Sequence, residues 1–377
     1  MSLTLADARI VTAEGVHDGW LTIEDGRITH VGHGAAPRAG HSLGGRHVVP
    51  GFVDIHNHGG AGGSFPTGEH DGAREAVALH ERHGTTTMVA SLVTGAPDDL
   101  ARATASLAEL CDDGLLAGIH FEGPYISRAR CGAHNPELLR DPSPQEFAGL
   151  LAAGREHVRM LTIAPELPGA LDTIRAAAAE GVIAALGHSD ATYEQTLAGI
   201  EAGATVATHL YNALPPLGHR TPGPVAALLE DERITIELIN DGVHVHPAML
   251  RLAYEVAGPA RTALITDAMA AAGMGDGTYV LGSMDVIVAD GVARLAEGGS
   301  IAGSTLTMDV AFRRTVQEVG LTLPEAVQLT SMTPARVLGV DGTTGSIAVG
   351  KAADLVVLSD ELEVAGVMKR GAWIVEP

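Results

Sequence analysis

The chain has 377 residues, 46% of them hydrophobic and only 3% aromatic, a length and composition suited to one (β/α)₈ barrel with a small appendage and a core of Ala, Val, Leu and Ile. Its 46 acidic against 24 basic side chains give a formal charge of −22, which repels nucleic acid and anionic membranes, so an anionic ligand must be held by local cations. Only Cys111 and Cys131 occur, no secretory signal opens the chain and no apolar run reaches the roughly 20 residues of a bilayer span, so the sequence reads as a soluble cytoplasmic protein.

The first 49 residues read as short strands: 3–5, 20–23, an Asp25-Gly26 turn, then 27–31. From residue 50 to 336, β-rich apolar runs alternate with amphipathic or Ala-rich helices, the pattern of βα units around a parallel barrel. Eight strands are predicted at 53–58, 86–92, 116–121, 159–163, 183–187, 205–208, 234–239 and 262–266, with helices such as 71–83, 97–111 and 168–180 between them. A hairpin-like insert with an Asp290-Gly291 turn spans 278–295, and a last helical region resumes near Thr305. Residues 337–377 return to strands, at 353–358, 364–368 and, after an Arg370-Gly371 turn, 372–375. Both chain ends are therefore expected to pair into one small β-sandwich domain beside the α/β barrel.

His56-Asn57-His58 ends the first predicted strand, and residues two apart on a strand project to one face, so both imidazoles can grip one metal. An isolated H-x-H carries little weight. Glu122, His188, His209 and Asp267, however, also fall at or just past the C-terminal ends of strands three, five, six and eight, which converge on the barrel mouth where active sites are found. Imidazole and carboxylate suit zinc or iron, and Glu122 can bridge two ions through its two oxygens. Metal-activated hydroxide at neutral pH needs a carboxylate to take up its proton and later protonate a leaving amine, and Asp267 fits that task.

The segments PGFVDIHNHGG at 50–60, HFEGPYIS at 120–127, GHSDA at 187–191, THLYNAL at 208–214, DGVHVHP at 241–247 and LITDAMAAAG at 264–273 occur in an order that resembles the N-acetylglucosamine-6-phosphate deacetylases of the amidohydrolase superfamily. The resemblance continues to GSIAVGKAADLVVL at 345–358. It implies His56, His58, Glu122, His188 and His209 as metal ligands for one or two ions, and Asp267 as catalytic acid and base. It also implies substrate contacts at Ala133, His134, Asn212, Ala213, Arg220, His244 and the Ile301-Ala302-Gly303 segment. Arg220 and His244 have an independent rationale, because a phosphate needs cationic or N–H donors in so acidic a chain. In similar enzymes the arginine comes from the neighbouring subunit, so the resemblance implies a homodimer. The expected reaction is hydrolysis of the N-acetyl group of N-acetylglucosamine 6-phosphate.

Two other functions compete: a deaminase or cyclic-amide hydrolase on the same fold, and a non-catalytic sugar-phosphate sensor. Similar cyclic-amide enzymes commonly use a carboxylated lysine, whereas no lysine lies near the predicted strand ends, and the intact ligand set speaks against a sensor. The glycines at 59–63 lack the spacing of a phosphate-cradling loop and read as backbone room. His120 shares a strand face with Glu122, but the ligand set is complete without it. His17, His30, His33, His41, His70, His80 and His157 are expected at the surface, and Cys131 is expected to line a mobile loop without acting in the chemistry.

Overall fold

A computed structural model describes residues 2–37 and 40–377. The chain divides into two compact units, one of Met1–Asp54, Ala78–Thr87 and Thr307–Pro377, the other of Ile55–Val77 and Met88–Leu306.

In the first unit both chain ends build one mixed sheet. Ser2–Thr12 pairs antiparallel with Gly15–Glu24, and that strand with Arg27–His33. On its other side Ser2–Thr12 runs parallel to His47–Pro50, which pairs antiparallel with Leu355–Leu358, followed by Val364–Lys369 and Ala372–Val375. The alternation of apolar side chains sets which face is buried. Leu5, Ile10, Leu21, Ile23, Ile28, Val48, Leu355, Val357 and Met368 share one core. The expected turns form as two-residue loops: Glu24 faces Arg27 across Asp25-Gly26, and Lys369 faces Ala372 across Arg370-Gly371. Both central residues have positive φ, 48° and 77° in the first turn and 49° and 79° in the second, the geometry that matches strand twist and favours glycine second.

The eight strands of the parallel sheet follow one another in chain order, Phe52–Asp54, Thr85–Val93, Gly118–Glu122, Val158–Ile163, Ile183–Leu186, Val206–Ala207, Thr235–Ile239 and Thr262–Ile265. All eight coincide with predicted strands, and His70–Arg82, Pro97–Asp112 and Ala170–Ala179 with predicted helices. The first strand stops at Asp54, short of the predicted 58, because the chain beyond it turns to meet the segment after the eighth strand. There Asn57 bridges Ala268 in parallel, Asp267 N–H donates to His56 O at 2.9 Å and His58 N–H to Ala268 O at 2.7 Å. These bonds tie residues 56–58 to the segment after the eighth strand.

Within the second unit, Tyr193–Glu201 starts at a reciprocal capping box of Thr192 and Gln195, which fixes where the loop after His188 ends. The 278–295 insert is a three-stranded meander, Gly277–Leu281, Met284–Ala289 and Val292–Leu295, one strand more than a hairpin. Its turn at Asp290-Gly291 has the expected positive φ values, and its core includes Met269, Ala271 and Ala302. His80, expected at the surface, is fully buried, because it falls on the inward stripe of its helix at helical spacing from Ala73, Ala76 and Val77. Among the described residues no helix is long and apolar enough to cross a membrane.

Candidate active site

His56, His58, Glu122, His188, His209 and Asp267 are all buried, and all belong to the second unit. Their side chains meet at the C-terminal ends of the strands. His56 Nε2 lies 3.2 Å from His58 Nε2, His188 Nε2 lies 3.0 Å from His209 Nε2, and Glu122 sits between the pairs. Its Oε1 is 3.0 Å from His188 and 2.9 Å from His209, and its Oε2 is 3.2 Å from His58. Asp267 Oδ1 approaches His58 Nε2 at 3.1 Å and His56 Nε2 at 3.5 Å. His188, His209 and Asp267 all adopt left-handed backbone, with φ of 47°, 26° and 50°, so each side chain turns into the mouth at a sharp bend just past its strand. Gly132 packs over this cluster with φ of 59°, and a Cβ there would come within 3.1 Å of His188 Cε1.

Hydrogen bonds at the far ring nitrogens sort the histidines. His58 Nδ1 faces Ser91 O at 3.1 Å, and His188 Nδ1 faces Arg130 O at 2.9 Å. Carbonyl oxygens only accept, so these Nδ1 atoms carry the proton and the Nε2 lone pairs point into the cluster. His56 Nδ1 likewise faces the Glu237 carboxyl at 3.2 Å. His134 is opposite in kind. Its Nδ1 accepts from Thr94 N–H at 3.2 Å, so its neutral ring carries the proton on Nε2, 3.2 Å from Glu122 Oε2. The loop after the third strand thus delivers a hydrogen-bond donor where the other rings present lone pairs.

Among the described residues two groups could hold metal ions, His56 with His58, Glu122 and Asp267, and Glu122 with His134 and His188. The donor set fits a divalent cation: the Nε2 lone pairs of His56 and His58, which face each other at 3.2 Å, repel unless a proton or a cation lies between them. Electrostatics asks for the same positive charge. Burial by itself opposes protonation of His56 and His58, but Glu122, with Glu237 at His56 and Asp267 at His58, outweighs it. His56 is therefore held well above its ordinary value and His58 is raised to about 9. Conversely, burial would push the two carboxyls up, yet the neighbouring imidazoles keep Glu122 well below the usual range and Asp267 at about 2. Burial dominates at His134, which falls to about 4 and stays neutral.

A cavity of about 370 Å³ opens over the cluster, a volume suited to a small ligand. His58, Glu122, His134, His188, His209 and Asp267 form part of its wall, with Ala133, Asn212, Ala213, His244, Ile301 and Gly303. His244 is braced by Asp241, Nδ1 to Oδ2 at 2.7 Å; burial works against its charged form, but this bond and the aspartate's charge raise its pKa. Two of the residues implied by resemblance do not line the cavity of their own chain. Ala302 is buried in the core of the meander, and Arg220 is exposed beside His219.

The sequence reading missed Ser91, Thr94, Arg130, Glu237 and Asp241, which touch the rings from behind or, in the case of Arg130, also line the cavity. Glu237 carried a legible signal, as a charged residue inside the apolar strand Thr235–Ile239 must find a buried partner. His120 stays outside the cluster: Ser91 Oγ and Thr162 Oγ1 lie 2.9 Å from its two nitrogens, and burial keeps it neutral, its pKa well below the ordinary value.

Comparison with known proteins places this geometry among relatives. The chain matches the Amidohydrolase family over residues 47–374. It is 39% identical, over 98% of its length and 99% of the relative's, to N-acetylgalactosamine-6-phosphate deacetylase of Escherichia coli O157:H7. Among solved structures it is 50% identical, with a TM-score of 0.97 and 99% of each chain covered, to a D267A mutant of N-acetyl-D-glucosamine-6-phosphate deacetylase from Mycobacterium smegmatis in complex with N-acetyl-D-glucosamine-6-phosphate. It is 32% identical, with a TM-score of 0.90 and all of each chain covered, to N-acetylglucosamine-6-phosphate deacetylase from Thermotoga maritima.

Proposed function

We infer the reaction of this site from the family to which the chain belongs, the amidohydrolases, and within them the N-acetylglucosamine-6-phosphate deacetylases. It hydrolyses the N-acetyl group of N-acetylglucosamine 6-phosphate to glucosamine 6-phosphate and acetate. The observation that carries this reading is the convergence of His56, His58, Glu122, His188, His209 and Asp267 in one buried cluster under a cavity.

His56, His58, Glu122, His188 and His209 are the residues we assign to hold one or two divalent ions, zinc or iron by donor type. When bound, such an ion lowers the pKa of a coordinated water toward 7 and polarises the amide carbonyl. His134 Nε2–H donates a hydrogen bond to the acetyl oxygen as negative charge develops there, its tautomer fixed by Thr94. Asp267, ionised, takes the proton of the attacking water at Oδ1. It then delivers that proton to the departing nitrogen, so the C–N bond breaks as the N–H bond forms and acetate leaves. Ala133, Asn212, Ala213, Ile301 and Gly303 line the space we assign to the sugar.

His244, whose protonated form Asp241 favours, is one of the groups we assign to the phosphate. Another is Arg220 of a second copy in a homodimer. Its exposed position, outside the cavity of its own chain, supports that assignment. We take residues 50–336 as the catalytic barrel, with 1–49 and 337–377 forming the small β-domain, and place the protein in the cytoplasm, a reading its two free cysteines support.

The relative of Escherichia coli favours a second substrate, the galactosamine epimer. Acetate release from both N-acetylated sugar phosphates, before and after chelation and with zinc or iron restored, tests the whole reading. Metal-dependent release is expected, and the ratio of kcat/KM values ranks the epimers. Fully metal-loaded protein that releases no acetate from either sugar would sink the proposal.

A further inference from the structure

Glu237 is a buried carboxyl group that the reaction above does not use. It lies on the seventh barrel strand, two residues before the strand ends. Its Oε2 is 3.2 Å from His56 Nδ1 and accepts the backbone N–H of His209 at the same distance. Its backbone oxygen accepts Leu210 N–H at 2.8 Å, so one residue grips both a ring of the first histidine pair and the left-handed turn that carries His209.

We propose that Glu237 is a positioning residue that lets the site hold two divalent ions rather than one, by fixing the His56 ring with its Nε2 lone pair in the cluster and by adding a third buried negative charge. The inference rests on the metal reading given above. A second-sphere carboxylate that takes the far N–H of a ligating histidine sets its tautomer and raises its basicity. Charge counting points the same way. Two divalent ions bring four positive charges against two carboxylates in the cluster, Glu122 and Asp267. A third carboxylate behind His56 offsets part of the excess at the position that ring serves. The His188–His209 pair is balanced differently, because His188 leans on the Arg130 carbonyl and carries no carboxylate behind its ring. Loss of Glu237 charge should therefore be felt unequally by the two ions.

The test is zinc content after dialysis, together with zinc affinity by competition with a chromophoric chelator. It is run on the wild type, Glu237→Gln, His56→Ala and the double variant. The wild type should bind two zinc ions per chain. Glu237→Gln should retain one tightly and bind the other roughly 10–100-fold more weakly. In the His56→Ala background, where the ion served by that ring is already lost, the glutamine change should cause no further loss. Two tightly held ions in Glu237→Gln overturn the inference, as do equal weakening of both ions or an added loss in the double variant. A wild type that binds no zinc or iron instead overturns the metal reading itself. If Glu237→Gln fails to fold, ¹⁵N–¹H correlation spectra of the zinc-loaded wild type decide: a protonated Nδ1 on His56 supports the assignment, and a zinc-coordinated Nδ1 overturns it.

Discussion

The same left-handed backbone occurs in two regions of this protein, to opposite ends. In the sheet built from the chain ends it closes the turns at Asp25-Gly26 and Arg370-Gly371, where Asp25 and Arg370 bear its cost at the first position and glycine takes the second without penalty, as tight hairpin turns require. At the barrel mouth it occurs at His188, His209 and Asp267, where the roles we propose each require a side chain and exclude glycine. A non-glycine residue in that region costs about 1 kcal/mol or more, and the mouth also confines carboxylates and imidazoles away from water. The sheet is locally self-consistent. The cluster is held in a conformation its own residues would not choose, by the surrounding scaffold.

If this contrast is right, changes at the mouth should cost activity and changes in the sheet should cost stability. The largest effect is expected for Asp267→Asn, which removes the proton acceptor: kcat should fall about 10²–10⁴-fold with metal content and melting temperature near wild type. Turnover close to normal would remove Asp267 from the mechanism. His134→Ala should lower kcat by roughly 10²–10³-fold, the usual cost of losing one donor to a developing oxyanion. It should leave metal content unchanged, because its Nε2 carries the proton. Metal loss in that variant would show instead that His134 is a ligand.

In the sheet, Leu355→Ala removes a fully buried side chain and should destabilise that unit by roughly 3 kcal/mol in denaturant titration, with kcat unaffected where the protein is still folded. A selective loss of kcat would erase the proposed division. The smallest effect belongs to Asp309, buried beside His83 at 3.1 Å in the same unit as the sheet. Burial would raise its pKa, but the bond to His83 and that ring's charge hold it below the ordinary value. A carboxyl depressed in the folded state stabilises above its unfolded pKa, near 3.9, and that contribution disappears as pH falls through the folded value. Asp309→Asn should therefore flatten the fall in melting temperature between pH 5 and the acid limit, and an unaltered slope would mean the pair contributes nothing.

How much of this was legible in the sequence follows the same contrast. Strands, helices and turns were readable because local chemistry and tertiary structure agree, as at Asp290-Gly291, whose two positive φ values are those a tight hairpin requires. The six chemical residues were readable because a barrel brings strand ends together whatever their separation in the chain. The groups behind them were harder to see. Thr94 N–H and the carbonyls of Ser91 and Arg130 select tautomers through the backbone, and a backbone group has no letter in the sequence. Arg220 marks another boundary: the resemblance implies that it binds substrate, while in the fold it stands exposed, outside the cavity of its own chain.

The order of strands in the mixed sheet has a consequence for synthesis. Leu355–Leu358 occupies an interior position, between His47–Pro50 and Val364–Lys369, yet the whole barrel is translated between it and the first of these partners. Until then the apolar edge at Val48 and Val49 lacks this partner, so the sheet closes only after translation has passed the entire barrel, and a later strand completes a structure that earlier ones began.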